Sequence, residues 1–363
     1  MTLNEIARLA GVSKATASRA FSNPSMVSEE TRRKVLETAR RCNFRPNALA
    51  QAVASRKSSL IGFCLYNKTP PYFGHTFFGP VLDGVIEQAK EMGYHVVPTV
   101  TSQKDDLFEE SFFEAGIEGA LLSTSPPEKT VAVFRKRGIP VVVVNDELAV
   151  PRTGYVIDDN YGGAKKLMAH LIDQRDYRSI AVVTDRLSHG SYLSRYLGYL
   201  DALSERGLQP YRAPELPHYD LTGECPEFNH MPLLRLGLRE IPCPGTPVVI
   251  PGTMPEIAYE WVQPLLDCPR LPRAIFCTVD HIAIGVIKAI RDRGLRVPED
   301  IAVCGYDDIQ SAALSEPPIT TILVNRSGIG KAAMRLLKTY IDDPDRPSET
   351  VSLENQLIVR QST

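Results

Sequence analysis

The chain has 363 residues, room for two or three domains with a sizeable core, and 41 Lys/Arg nearly balance 43 Asp/Glu. Seven cysteines, with no Cys-x-x-Cys pair among them, argue against a disulfide framework or a zinc centre. No charged-then-apolar leader opens the chain and no apolar run approaches the ~18 residues of a membrane span, so a cytoplasmic protein is expected.

The neutral average hides an asymmetry. Residues 1–60 hold 11 Lys/Arg and 4 Glu, a charge of +7; the remainder holds 30 basic and 39 acidic residues, a charge of −9. A basic head on an acidic body is the electrostatic pattern of a nucleic-acid module joined to something else. The head begins with Leu3 to Ala10, whose apolar residues recur at helical spacing. Thr2 and Glu5 form a capping-box pattern, and Gly11 permits a sharp turn. Ser13 caps a second helix on which Lys14, Ala15 and Ser18 face away from Val12, Ala17 and Phe21. Capped helix, glycine turn and a helix presenting small, polar and basic side chains describe either a helix-turn-helix DNA reader or an ordinary helical hairpin. Ser28 caps a third helix with Glu29 and Glu30 in its first turn. Pro46 ends it, and Asn47 opens an uncharged helix of under two turns, too short to be stable unless something packs on it.

Beyond Ser58-Ser59, short apolar runs alternate with helical stretches. Leu60–Leu65, Ala120–Leu122, Val141–Val144, Tyr155–Ile157, Ile180–Val183, Ala274–Cys277 and Ile301–Cys304 read as strands. Pro80–Met92, Glu128–Arg137, Tyr161–Asp173, Ser191–Glu205 and His281–Arg293 read as helices, with Gly93, Gly138, Gly207 and Gly294 as stops. This alternation predicts parallel sheets, and its length predicts two lobes. The Pro- and turn-rich stretch from Gln209 to Pro247 gives no clear order. Ligands bind beyond the carboxyl ends of parallel strands, which singles out Asn145, Asp158 and Asp280.

Val-Ser-x-x-Thr-x-Ser-Arg from Val12, Val-Ser-Glu-Glu-Thr-Arg from Val27 and Phe-Arg-Pro-Asn-Ala-Leu-Ala from Phe44 resemble the lactose-repressor (LacI/GalR) family of bacterial transcription regulators. The resemblance continues through Ile139-Pro140, Val156–Asn160, Arg195 with Gly198, Asp280 with Gly285, Gly305-Tyr-Asp-Asp and Ile319-Thr-Thr-Ile. It implies an α/β fold: a three-helix head (1–58) with a hinge helix at about 47–54, then a two-lobed body (59–363) like the periplasmic sugar-binding proteins. The lobes are expected at about 60–159 with 291–322 and about 161–290 with 324–363, joined near Asp159–Tyr161, Ile290–Arg291 and Ile322–Val324.

The resemblance also implies roles. Lys14 and Ala15 would reach base edges; Ser13, Thr16, Ser18 and Arg19 would make further base and phosphate contacts, with Thr2 beside them. Asn47 would touch the DNA backbone, and Leu49, Ala50 and Val53 would form the apolar hinge face. The family usually has Leu at Val53, so a shallower minor-groove wedge is expected; Val53→Leu should increase DNA bending in a circular-permutation gel. Arg195 and Asp280 match the effector-binding pair, and an aromatic pair, Phe77/Phe78 or Tyr72/Phe73, would stack on the ligand. The expected partners are operator DNA, a second copy of the chain in a homodimer, and a small effector, a sugar or alternatively a purine; no cofactor, metal or membrane is implied. An enzyme is the rival reading, but no Gly-x-Gly-x-x-Gly, Gly-x-Ser-x-Gly or His-Glu-x-x-His occurs, and Gly330-Lys331 lacks the rest of a phosphate loop.

Overall fold

The computed structural model describes residues 2–22, 26–42, 44, 58–66, 77–101, 113–114, 116–123, 126, 128–148, 150–212 and 247–363. The chain divides into two compact units, residues 1–60 with 109–118, and residues 61–108 with 119–363.

In the first unit, α1 (Leu3–Ala10), α2 (Lys14–Ser22) and α3 (Glu29–Arg41) surround a small core of Ile6, Ala7, Ala10, Ala17, Ala20, Val35 and Ala39. The capping box forms: the Thr2 amide donates to Glu5 Oε2 at 2.7 Å, and the Glu5 amide to Thr2 Oγ1 at 3.4 Å. Gly11 closes α1 at φ +64°, a conformation a side chain would strain. Ser13 Oγ accepts from the Thr16 amide (3.0 Å), and Ser28 Oγ from the Thr31 amide (3.3 Å). Alanines dominate this core, so the three helices approach closely around little apolar volume.

The second unit is built on two sheets. The elements in order are β1 (Leu60–Tyr66), α4 (Phe78–Glu91), β2 (His95–Thr101), β3 (Gly119–Ser123), α5 (Glu128–Lys136), β4 (Val141–Val144) and β5 (Gly154–Asp158). Then follow α6 (Asn160–Ala169), continued as a π turn through Gln174, β6 (Ile180–Thr184), α7 (Gly190–Ser204), β7 (Val248–Val249), α8 (Pro255–Trp261), α9 (Gln263–Leu266) and β8 (Ala274–Cys277). The chain closes with α10 (Asp280–Asp292), β9 (Ala302–Cys304), α11 (Gln310–Leu314), β10 (Thr321–Leu323), α12 (Arg326–Asp342), β11 (Glu349–Leu353) and β12 (Gln356–Ile358). The first sheet runs β11-β5-β4-β3-β1-β2 and the second β7-β6-β8-β9; β10 and β12 pair antiparallel between Ile322 and Leu357. The pairs β1–β3, β3–β4, β4–β5 and β5–β11 are parallel, as are all pairs of the second sheet. Buried runs such as Val141–Val144 and Ala274–Cys277 are apolar throughout because both faces of these strands are covered.

The observed pairing corrects the expected lobe boundaries. Residues 291–322 do not return to the first lobe, because Ala302–Cys304 pairs with Ala274–Cys277 in the second sheet. Residues 324–363 do not all belong to the second lobe either: Glu349–Leu353 extends the first sheet alongside Gly154–Asp158. The crossing expected at Ile290–Arg291 is absent, since both residues lie inside α10. The connections between the sheets run through Asp159 and through β10 into α12, at two of the expected positions, and from β11 into β12 in place of the third.

Helices α4 and α12 cross in backbone contact. A Cβ at Gly84 would lie 2.1 Å from the Ser327 carbonyl oxygen, and one at Gly330 would lie 2.0 Å from that of Val81. Two glycines are what the crossing requires.

Candidate ligand site and nucleic-acid interface

On the head, Ser13, Lys14, Ala15 and Arg19 are exposed, Thr16 and Ser18 are half-buried, and Ala17 and Ala20 supply the opposite, buried face. The presented stripe therefore carries the residue types expected from the sequence. Thr2 is exposed with its hydroxyl engaged in the cap. Asn47, Leu49, Ala50 and Val53 lie outside the described residues.

In the second unit the carboxyl ends of both sheets supply polar residues to one place. Asn145 and Asp146 follow β4, Asp158 ends β5, Asp185 follows β6, Thr278 follows β8 and Asp307 lies just past β9. Arg195, on the first half of α7, is 2% exposed and joins them. Its Nε donates to Asn160 Oδ1 (2.7 Å), its Nη1 to the Thr278 carbonyl (2.6 Å), and its Nη2 lies 3.1 Å from Asp307 Oδ1. The guanidinium stacks 3.8 Å over the Tyr306 ring.

A closed circuit holds that guanidinium in position. Asn160 Nδ2 donates to Asp158 Oδ1 (2.9 Å), Asn355 Nδ2 to Asp158 Oδ2 (2.7 Å) and to the Tyr306 hydroxyl (2.8 Å), and Tyr306 lies beneath Arg195. The circuit ties the end of β5, the start of α6 and the turn before β12 to α7 and to the loop after β9. Burial works against the Arg195 charge, but Asp307, Tyr306 and Asp158 outweigh it and raise its pKa.

Among the described residues, each predicted ligand residue has a definite place. Arg195 sits at the centre. Asp158 is near it but spends both oxygens on the two asparagines. Asn145 is buried at φ +64°, and its Oδ1 has no hydrogen-bond partner among the described residues. Phe77 and Phe78 pack edge to face, centroids 5.1 Å apart, inside the apolar cluster with Phe63, Leu65 and Val81; Tyr72 and Phe73 lie outside the described residues.

Asp280 needs correction as a ligand group. It is fully buried, its Oδ2 accepting from the Ile309 amide (2.9 Å) and its Oδ1 from Thr321 Oγ1 (2.6 Å). The loop after β9 folds over it because Gly305 has no side chain; a Cβ there would fall 2.1 Å from Asp280 Oδ1. Asp280 thus anchors the loop that carries Asp307 to Arg195, and Asp307 is a carboxylate beside Arg195 that the sequence did not single out. The same strand-end rule that selected Asp280 also selects Asp307.

Burial, with Asp307 nearby, pushes the Asp280 carboxyl up to about 8, above the ordinary aspartate value. An acid whose folded pKa is raised stabilises the fold at low pH and loses that contribution as the pH climbs through about 4 to 8. Asp280→Asn, which can donate to Thr321 and still accept from Ile309, should flatten this decline. Urea midpoints from pH 5 to 9 check it; an unchanged slope would show that Asp280 does not titrate in that window.

His189 caps α7, its Nδ1 accepting from the Ser191 amide (3.2 Å), with Tyr192 at 5.0 Å between ring centroids. Burial holds its imidazole below the usual histidine pKa, against the pull of Asp146. Among the described residues no His/Cys/Asp/Glu group is placed to hold a metal ion, and no helix is long and apolar enough to cross a membrane.

Comparison with known proteins places this architecture. Residues 2–47 match the bacterial regulatory proteins of the lacI family. Residues 58–226 match the periplasmic binding proteins and sugar binding domain of the LacI family, and residues 168–363 a periplasmic binding protein-like domain. The HTH-type transcriptional repressor PurR of Mannheimia succiniciproducens is 27% identical over 366 residues, covering 99% of this chain and 98% of that protein. The ribose operon repressor of Haemophilus influenzae is likewise 27% identical over 366 residues, with 99% and 98% covered. The lac repressor dimer bound to operator and the anti-inducer ONPF shares the fold, with a TM-score of 0.78 at 21% identity, covering 100% of this chain and 98% of that one. The chain belongs to the LacI family of bacterial regulatory proteins. It is a DNA-binding transcriptional regulator and not an enzyme.

Proposed function

We propose that this protein is a repressor that reads a pseudo-palindromic operator as a homodimer and is switched by a small polar effector, a carbohydrate or carbohydrate derivative. The observation that carries the effector site is the buried Arg195 guanidinium, fixed by Asn160, Thr278 and Tyr306 beside Asp307. A guanidinium has five N–H donors, of which the hydrogen bonds to Asn160 and Thr278 engage two, while Nη2 makes an ion contact with Asp307. The others, with the Asp307 carboxylate, suit vicinal hydroxyls, and Tyr192 offers an aromatic face. Asp158 and Asp280 act by positioning, the first on Arg195 through Asn160 and the second on the Asp307 loop.

Both sheets contribute residues to the site, and the chain connects them at Asp159, between β10 and α12, and between β11 and β12. An effector that favours one arrangement of the lobes shifts the population, and DNA affinity changes by the same coupling free energy. One recognition helix covers few base pairs, so a dimer doubles the sequence read.

Duplexes selected from a random pool by the purified protein give the operator directly. On a selected site, Arg19→Ala should weaken binding by about 1–3 kcal/mol and relax base preference. Affinity should fall steeply with salt as phosphate contacts release counterions. A salt-independent affinity, or no enriched sequence, would reject the operator reading.

A further inference from the structure

Helices α1 to α3 all precede Ser58 and every strand follows Ser59, so the covalent path between helices and sheets runs through residues 58–60. Those three residues are held by the loop before β3, which belongs with them to the first unit. The Ser59 amide donates to Glu118 Oε1 at 2.7 Å, and the Glu118 amide donates to the Leu60 carbonyl at 2.8 Å. Ser58 Oγ donates to the Gly116 carbonyl and accepts from the Leu60 amide at 3.1 Å. Four hydrogen bonds thus fix three consecutive residues, just before the point where Ile61 pairs with Gly119 in the first sheet.

The conformation they hold is a costly one. Ser59 lies at φ +55°, in the left-handed region where a Cβ crowds the backbone. The chain therefore turns sharply as it leaves β1, and a return of Ser59 to negative φ would re-aim everything N-terminal to it, the three head helices included. Backbone strain held in place by a neighbouring acceptor points to a use for the direction it sets. In a dimer that reads two half-sites, this direction in each copy decides how far apart the two recognition helices fall. We infer that Glu118 is a positioning residue: by accepting from the Ser59 amide it fixes the direction in which the chain leaves the first sheet, and so sets the half-site spacing that the dimer selects. This rests on the operator reading above and deepens it. Without that acceptor Ser59 samples several conformations, and only a fraction of molecules presents both heads at the spacing of the operator.

The experiment is selection from a random duplex pool by the full chain as wild type, Glu118→Ala, Glu118→Gln and Ser59→Pro, with folding checked by thermal melting. Proline removes the amide donor and fixes φ at about −65°; glutamine keeps an oxygen that accepts from Ser59. Wild type and Glu118→Gln should select one spacing between half-sites. Glu118→Ala and Ser59→Pro should select the same half-site bases at a broadened or shifted spacing, and bind the wild-type duplex roughly three- to tenfold more weakly. A purely structural role for Glu118 would lower the melting temperature and leave the spacing alone. Wild-type spacing in Ser59→Pro, or in a folded Glu118→Ala, overturns the inference and keeps the operator reading. So does a Glu118→Gln variant as altered as Glu118→Ala, and so does a change of half-site bases in place of spacing. A single half-site enriched by the wild type rejects the homodimer reading, and no enriched sequence rejects the operator reading; either result takes this inference with it.

Discussion

Replacing Arg195 with alanine should destabilise the second unit by about 3–5 kcal/mol, besides removing the effector response. The side chain is 2% exposed, so its loss leaves a buried Asp307 without its cation and breaks the circuit through Asn160 and Tyr306. Burial has already pushed Asp307 up to about 6, with Arg195 opposing the rise. Without the guanidinium, Asp307 should take up a proton near neutral pH, which offsets part of the cost. The deficit should therefore be smaller at pH 5 than at pH 8. Arg195→Lys should recover little, because a single ammonium cannot reproduce a planar fork that reaches three partners and stacks on a ring. Guanidinium-chloride unfolding at both pH values, followed by far-UV circular dichroism, measures this. A loss under about 1 kcal/mol at pH 8 would mean that the circuit is not a structural unit.

Gly84→Ala should cost about 1–3 kcal/mol or more, although alanine is the better helix former. The added methyl would meet the Ser327 carbonyl oxygen at 2.1 Å, and backbone cannot swing aside as the end of a side chain can. Helix α12 would have to lift, disturbing its packing on β3, β4 and β5. Gly330→Ala introduces the reciprocal clash with the Val81 carbonyl. Because both changes open one helix crossing, the double variant should lose less than the sum of the singles. Thermal melts of the three variants would show it; additive losses would mean that the two glycines relieve separate contacts.

Much of this molecule is legible locally. Thr2, Gly11, Ser13 and Ser28 each act within a few residues of themselves, and their caps and turn form as the sequence predicts. The apolar runs Val141–Val144 and Ala274–Cys277 mark strands because a short, unbroken apolar run rich in β-branched and aromatic residues suits a strand covered on both faces. What escaped depends on distant partners. Glu349–Leu353 alternates charged or polar residues with apolar ones and is largely exposed, so only its pairing with β5 defines it as part of the first sheet. Asp280 and Asp307 both follow strands, and the choice between them depends on how the loop at Gly305 folds back. Asn355 carries no motif at all, yet its amide touches Asp158 and Tyr306 at once.

The place of β11 has a consequence for synthesis of the chain. Glu349 pairs with Gly154, a separation of 349 − 154 = 195 residues. A ribosome working at about 5–20 residues per second takes roughly 10–40 s to cover that distance. Throughout that interval β5 presents an open edge, and the Leu336 and Tyr340 side chains that close over Gly154 do not yet exist. The sheet that starts first is therefore closed only after every strand of the second sheet has been made. The nascent chain is most exposed to edge-to-edge association, and most dependent on chaperones, along a strand of what later becomes a buried core.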